Sequence, residues 1–298
     1  MHSKFVPVLA VALLAVAGCS GGHKDVGAFG PTSQTSGDSS STPGCGTAIF
    51  DRGPVLNCAS LPTVTPAAGV DAMPGGYWSG QFLDETQAVQ GYMSAMVSED
   101  GRFQLWAYRY NDTNICTNWE AEFGGTMSTV GNSLSGSGRM IALKPTLADG
   151  TMAADLQIEG VVAERYSLTG RWNASSGDAG CFQMNQYRAT DYEAPSALEN
   201  LVGEWNDYYS ESNSHLTVDV DGSITGSDRN GCSWTGRFGL IDDHYSLYEF
   251  EAELQSCDRA GHYTGLAWHG LGWDRGEFWL QILANDGEQA LLHFFSNL

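Results

Sequence analysis

The residues best suited to chemistry in this 298-residue chain lie in its C-terminal half. Asp242-Asp243-His244 groups two carboxylates and an imidazole, the parts of a proton relay or a weak metal site. Gly231-Cys-Ser-Trp-Thr-Gly236 sets a serine between glycines, as a nucleophile elbow would. However, Thr235 stands where the second glycine is needed, and the segment alternates like a strand rather than turning into a helix. The five histidines outside the leader and tether are His215, His244, His262, His269 and His293. His262 and His269 are seven apart, so on one strand they face opposite sides. Asp219-Val-Asp221-Gly222 has part of a calcium loop, but Thr217 occupies its first position, and a hairpin turn explains it better. Glu249, Glu251 and Glu253 share one face of a strand and read as solvated. The expectation is therefore no catalytic set, no metal site and no cofactor. Clustering of Asp243, His244 and His262 around one cavity would revive a hydrolase or metal-enzyme reading.

These side chains need strands to position them, and strands dominate after Gly76. In Tyr248–Leu254, Tyr248, Phe250, Ala252 and Leu254 share one face and the three glutamates the other. His215–Val220 alternates in the same way before Asp221-Gly222. Asn285-Asp286-Gly287 and Glu99-Asp100-Gly101 are further hairpin signals between apolar runs. The two halves also match in order. Tyr77-Trp78 answers Glu204-Trp205, and Ser98–Gly101 answers Asp219–Gly222. Cys116–Trp119 with Phe123 answers Cys232–Trp234 with Phe238, and Ser167–Trp172 answers Tyr263–Trp268. This is the pattern of a tandem duplication joined across residues 192–201. About eight strands per half would expose edges in open sheets, and closure removes them. The expected fold is all-β, with two tandem antiparallel up-and-down barrels over residues 76–192 and 199–298. Their openings, Gly76-Tyr77-Trp78 and Gly203-Glu204-Trp205, resemble those of calycin-type barrels such as lipocalins. Trp78, Trp119, Trp205 and Trp234 then either fill the interiors or line a ligand pocket, core filling being the expectation.

The N-terminus sets the compartment. His2 and Lys4 precede an uncharged apolar run too short to span a bilayer, the build of a secretory signal over residues 1–18. Val16-Ala17-Gly18-Cys19 resembles the lipobox of bacterial lipoproteins, which implies lipidation of Cys19. Ser20 after it resembles the outer-membrane class of that family. Residues 20–44 are rich in Gly and Ser and read as a tether within a linker over residues 19–75.

Six cysteines remain: Cys45, Cys58, Cys116, Cys181, Cys232 and Cys257. An even number in an exported chain implies disulfides, and without a CxxC pair a zinc ribbon is not expected. Pairing by region gives 45–58, 116–181 and 232–257. Residues 232 and 257 differ in parity, so a hairpin joining them needs a bulge near Gly231 or Gln255-Ser256. The net charge of −21 disfavours nucleic acid and anionic headgroups. The resulting expectation is a non-enzymatic lipoprotein, lipid-anchored in the outer membrane, that binds a protein partner or envelope component. The alternative is a carrier of a small apolar ligand.

Overall fold

Each alternating run from Gly76 onward is a strand, because one face can be buried only if every second residue is apolar. The first eight are β1 (Gly76–Asp84), β2 (Val89–Val97), β3 (Arg102–Arg109), β4 (Glu120–Val130), β5 (Ser133–Lys144), β6 (Ala153–Ala163), β7 (Ser167–Ala174) and β8 (Ala179–Gln186). Each pairs antiparallel with the next, and β8 returns to β1 from Trp78–Gln186 to Asp84–Gly180. The second eight are β9 (Gly203–Asp207), β10 (His215–Val218), β11 (Ser223–Ser227), β12 (Ser233–Leu240), β13 (Leu247–Gln255), β14 (Gly261–Leu271), β15 (Phe278–Asn285) and β16 (Ala290–Ser296). They close where β16 meets β9, through Phe295–Asp207 and Ser296–Asn206. The fold is two closed eight-stranded antiparallel barrels in tandem, as the strand count implies. A short helix, α1 (Ala189–Tyr192), and a 3-10 turn over Leu198–Asn200 occupy the join. The computed structural model describes residues 56–61, 69–87, 89–109, 120–144, 146–207, 214–228, 231–271 and 278–297. The expectations placed on the leader, the tether, most of the linker, Cys19, Cys45, Cys116 and Trp119 fall outside them.

The inward faces fill both interiors. Trp78, Phe82, Phe123, Trp172 and Phe182 lie in the first core, and Trp205, Trp234, Phe238, Phe250 and Tyr263 in the second. Trp78, Trp205 and Trp234 are each at most 1% exposed, so these three tryptophans are core.

The duplication has a geometric counterpart. Trp78 Nε1 donates to the Pro74 carbonyl at 3.0 Å, and Trp205 Nε1 to the Leu201 carbonyl at 2.7 Å. In both barrels the indole bonds four residues back, closing the entry to the first strand. The turns at Gly101 and Gly222 match as well, with φ of +86° and +82°, a region open to glycine. Their carbonyls accept from Met127 and Phe238, at 2.7 and 2.8 Å.

That pair corrects the sequence alignment. Met127, not Phe123, holds the place of Phe238, which sets Phe123 level with Trp234. The match of Ser167–Trp172 to Tyr263–Trp268 also fails. The first lies on the seventh strand of its barrel and the second on the sixth. Trp172 points into the core, and Trp268 points outward. Similar strand composition produced the match without equivalent position.

The disulfide pairing is corrected too. Cys58 bonds Cys181, not Cys45, and Cys181 is therefore not the partner of Cys116. The reason is packing. Leu56, Cys58 and Leu61 lie on the outer wall against Leu83 and Cys181, so the chain before β1 is stapled to β8 instead of looping on itself. Cys232–Cys257 forms as expected. Ser233 pairs Gln255, and the odd residue is Ser256, held at φ +67°. Gly231 takes the opposite side at φ +83°.

Candidate functional site: the seam between the barrels

A barrel standing in water needs only an inward apolar face. Strand β6 is built that way, its buried residues alternating with exposed ones. Strand β15 is not: Phe278–Asn285 buries six consecutive residues. Leu280, Ile282 and Ala284 face the second core, while Leu283 and Gln281 face the first barrel. Strands buried on both faces read as near-continuous apolar runs.

The seam joins Met96 and Trp106 of the first barrel to Leu247, Leu266, Trp268 and Leu283 of the second, with Tyr192 of the join between them. Tyr77 lies 5.2 Å from Trp268, and Trp106 lies 6.2 Å from Phe294, ring centre to ring centre. The Tyr77 hydroxyl donates to Gln281 Oε1 at 2.7 Å, and burial raises its pKa. Arg102 bridges to Glu249 at 3.0 Å. Arg139 donates to the Gly287 carbonyl at 3.3 Å.

A carboxylate also lies inside this contact. Glu122, on the outward face of β4, is 1% exposed. Asn285 Nδ2 donates to its Oε1 at 3.0 Å and to Gln104 Oε1 at 3.3 Å. Burial pushes the Glu122 carboxyl well above the usual range, with the Asn285 bond opposing it only in part. A raised acid contributes stability below its unfolded pKa and loses it as pH rises through the folded one. Glu122→Gln keeps the shape and cannot ionise. It should match the parent near pH 4 and exceed it at pH 8, by about 1.4 kcal/mol for every tenfold by which burial tightens the carboxyl's hold on its proton. Denaturant midpoints at the two pH values measure this, and a variant less stable at pH 8 would contradict it.

Arg165 clasps the end of the seam. Its Nη2 meets Glu99 Oε1 at 2.6 Å, and its Nε meets Glu193 at 3.3 Å. Its guanidinium lies 5.2 and 5.1 Å from the Tyr192 and Tyr245 ring centres. Those rings stack at 5.0 Å, joining the linker to the β12–β13 turn. A valine or leucine could not link two carboxylates and two rings at one point.

The groups first considered for chemistry are dispersed. Asp242, Asp243 and His244 form a group whose ligand atoms lie within 4.8 Å of one another. Both carboxylates sit on His244 Nδ1, at 2.8 and 2.9 Å, and they raise the imidazole's pKa. The His244 side chain is 80% exposed, so water competes for every ligand position. His262 is elsewhere, 2.9 Å from Glu253 and 3.7 Å from Glu251, beside a shallow hollow of about 270 Å³ that Arg237 also lines. Asp243, His244 and His262 therefore do not surround one cavity. Ser233 is exposed on β12, and His215 lies 3.3 Å from Asn206. His269 and His293 point into the second core, edge-on to Trp205 and Trp234. Sequence reasoning missed the seam. Its signal was the loss of alternation in Phe278–Ala284, where both parities are apolar.

Fold and site together define a two-barrel β protein whose barrels share one wall-to-wall contact. No family model matches the chain, and no curated protein is similar to it. A solved structure that it resembles is the crystal structure of a candidate outer membrane protein from Bacteroides fragilis, with 12% identity. The match covers 74% of this chain and 95% of that one, with a TM-score of 0.25. At that score the likeness carries no inference about function.

Proposed function

We propose that this chain is a non-enzymatic lipoprotein of the outer membrane, held by lipid on Cys19, whose paired barrels form a rigid platform for a protein partner or envelope component. The observation that carries the reading is the seam. Interiors packed with Trp78, Phe123, Trp205 and Trp234, and walls pressed together through Trp106 and Trp268, favour a stiff recognition body over a carrier with a pocket. The sequence Val16–Cys19 supports the anchor. The Gly-x-Trp openings, with their matching indole–carbonyl bonds, support a calycin-type origin for both barrels.

Two measurements test this. Cys19→Ser should move the protein from the membrane fraction to the soluble envelope fraction, and retention in the membrane would refute the anchor. Native mass spectrometry of residues 20–298 exported to a periplasm should give the bare chain. A bound mass that leaves on denaturation would replace the platform with the apolar-ligand carrier.

A further inference from the structure

Exposed apolar side chains on this molecule are not scattered. In an up-and-down barrel, the turns after even-numbered strands lie at the same end as the start of the first strand. Among the described residues, nine of the ten large hydrophobic side chains left exposed lie at that end of one barrel or the other. Val130 and Tyr166, 70% and 75% exposed, mark it on the first barrel, beside the β4–β5 and β6–β7 turns. Val220, in the β10–β11 turn, and Leu240, Leu271 and Phe278, at strand ends, mark it on the second. Met152, in the β5–β6 connection, is the exception at the opposite end.

The two marked ends are neighbours. Ser98 and Glu99 of the first barrel share a small cavity with Asp242, Tyr245 and Leu247 of the second. Ser246 N donates to the Tyr192 carbonyl at 2.8 Å, tying the β12–β13 turn to the linker. The rigid seam thus presents both apolar ends side by side. Clustered exposed apolar residues mark interaction sites, whereas single ones are ordinary.

The charge at this end selects the occupant. Glu164, Asp219 and Asp221 are exposed there. Among the described residues, the arginines at the same end, Arg102, Arg165 and Arg188, are each ion-paired within the chain, to Asp100, Glu99 and Asp191. Among the described residues, the uncompensated charge there is negative. A second copy through this face would meet like charge, and so would an anionic bilayer.

We infer that this shared end face is the docking surface for a protein presenting apolar hollows ringed by lysine or arginine. The inference rests on the platform reading and assigns its binding surface. Apolar anchors give such an interface its core, and complementary charge at the rim sets register and encounter rate.

The test is site-specific photo-crosslinking in isolated cell envelopes carrying the intact protein. The photoreactive residue is placed at Tyr166 or Val220, at Met152 on the opposite end, or at Glu253 on the outer wall. The expected result is one discrete protein adduct from Tyr166 and Val220 and none from Met152 or Glu253. Its yield should fall about tenfold, equivalent to about 1.4 kcal/mol, in the double variant Asp219→Lys/Asp221→Lys, and the yield from the parent sequence should fall at high salt, which screens the attraction. An adduct indifferent to charge reversal and salt overturns the charge argument and with it the inference. Phospholipid adducts from Tyr166 and Val220 mean that a bilayer occupies the face, and an adduct of twice the chain mass means that a second copy does; either result overturns the inference. A protein adduct from Met152 or Glu253 alone refutes this surface and leaves the platform standing. No adduct from any position refutes both.

Discussion

Lowering the pH from 7 to 4 will weaken the second barrel and spare the first. The cause is a pair of imidazoles inside the second core. His269 and His293 are 8% and 6% exposed, packed against Trp205 and Phe278 in one case and Trp234 and Phe295 in the other. Burial pushes the pKa of His269 down to about 4 and that of His293 down to about 3. In the unfolded chain both would titrate near 6.5. Their contribution is therefore complete above pH 6.5 and is lost as pH falls toward the folded values, because only the unfolded chain binds the protons. At about 1.4 kcal/mol per pH unit, the two together remove on the order of 5 kcal/mol by pH 4.

The first barrel responds with the opposite sign. Burial raises Asp84 from 3.8 to about 6. Its contribution is complete below about pH 3.8 and is lost as pH rises through 6, so acid strengthens that barrel. Amide hydrogen exchange at pH 7 and pH 4, corrected for the intrinsic rate and read on amides that exchange by opening of one barrel alone, separates the two. Protection should fall across β9–β16 and hold across β1–β8. His293→Gln, which does not titrate in this range, should flatten part of the slope. Equal loss in both barrels would remove the histidines as its cause.

Leu283→Asp should break the seam while leaving both interiors packed. Leu283 is fully buried, on the outward face of β15 against the first barrel. Truncating a buried leucine costs about 2–5 kcal/mol. An unpaired carboxylate in the same place adds several more, for a total above about 5 kcal/mol at pH 7. Because Leu283 faces away from the core, the loss falls on the contact between barrels. The parent should unfold in one transition by fluorescence and circular dichroism together. The variant should unfold in two, each barrel on its own. A variant with the parent's single midpoint would mean that the seam contributes little to stability. The same variant is the control for the shared end face, since separated barrels no longer hold Tyr166 and Val220 on one surface.

Much of this architecture was written locally. Period-two alternation in Tyr248–Leu254 defines a strand with one buried face, whatever lies around it. Asp100-Gly101 and Asp221-Gly222 set hairpin turns because glycine alone enters a positive φ at little cost. Even the irregularity beside Cys257 was legible, since strand pairing conserves parity and 232 with 257 does not. Long-range choices were not. The partner of Cys58 depends on a Cα separation of 5.5 Å between residues 123 apart, which no local pattern encodes. The correspondence of Met127 with Phe238 depends on which carbonyl each amide reaches across a turn. Whether a histidine meets water or Trp234 depends on how the barrel closes. Above all, alternation reports that one face of a strand is covered and says nothing of what covers the other. That β15 is buried on both sides, and that a second barrel does the covering, was decided only when Trp268, Leu283 and Tyr77 were brought together by the tertiary fold.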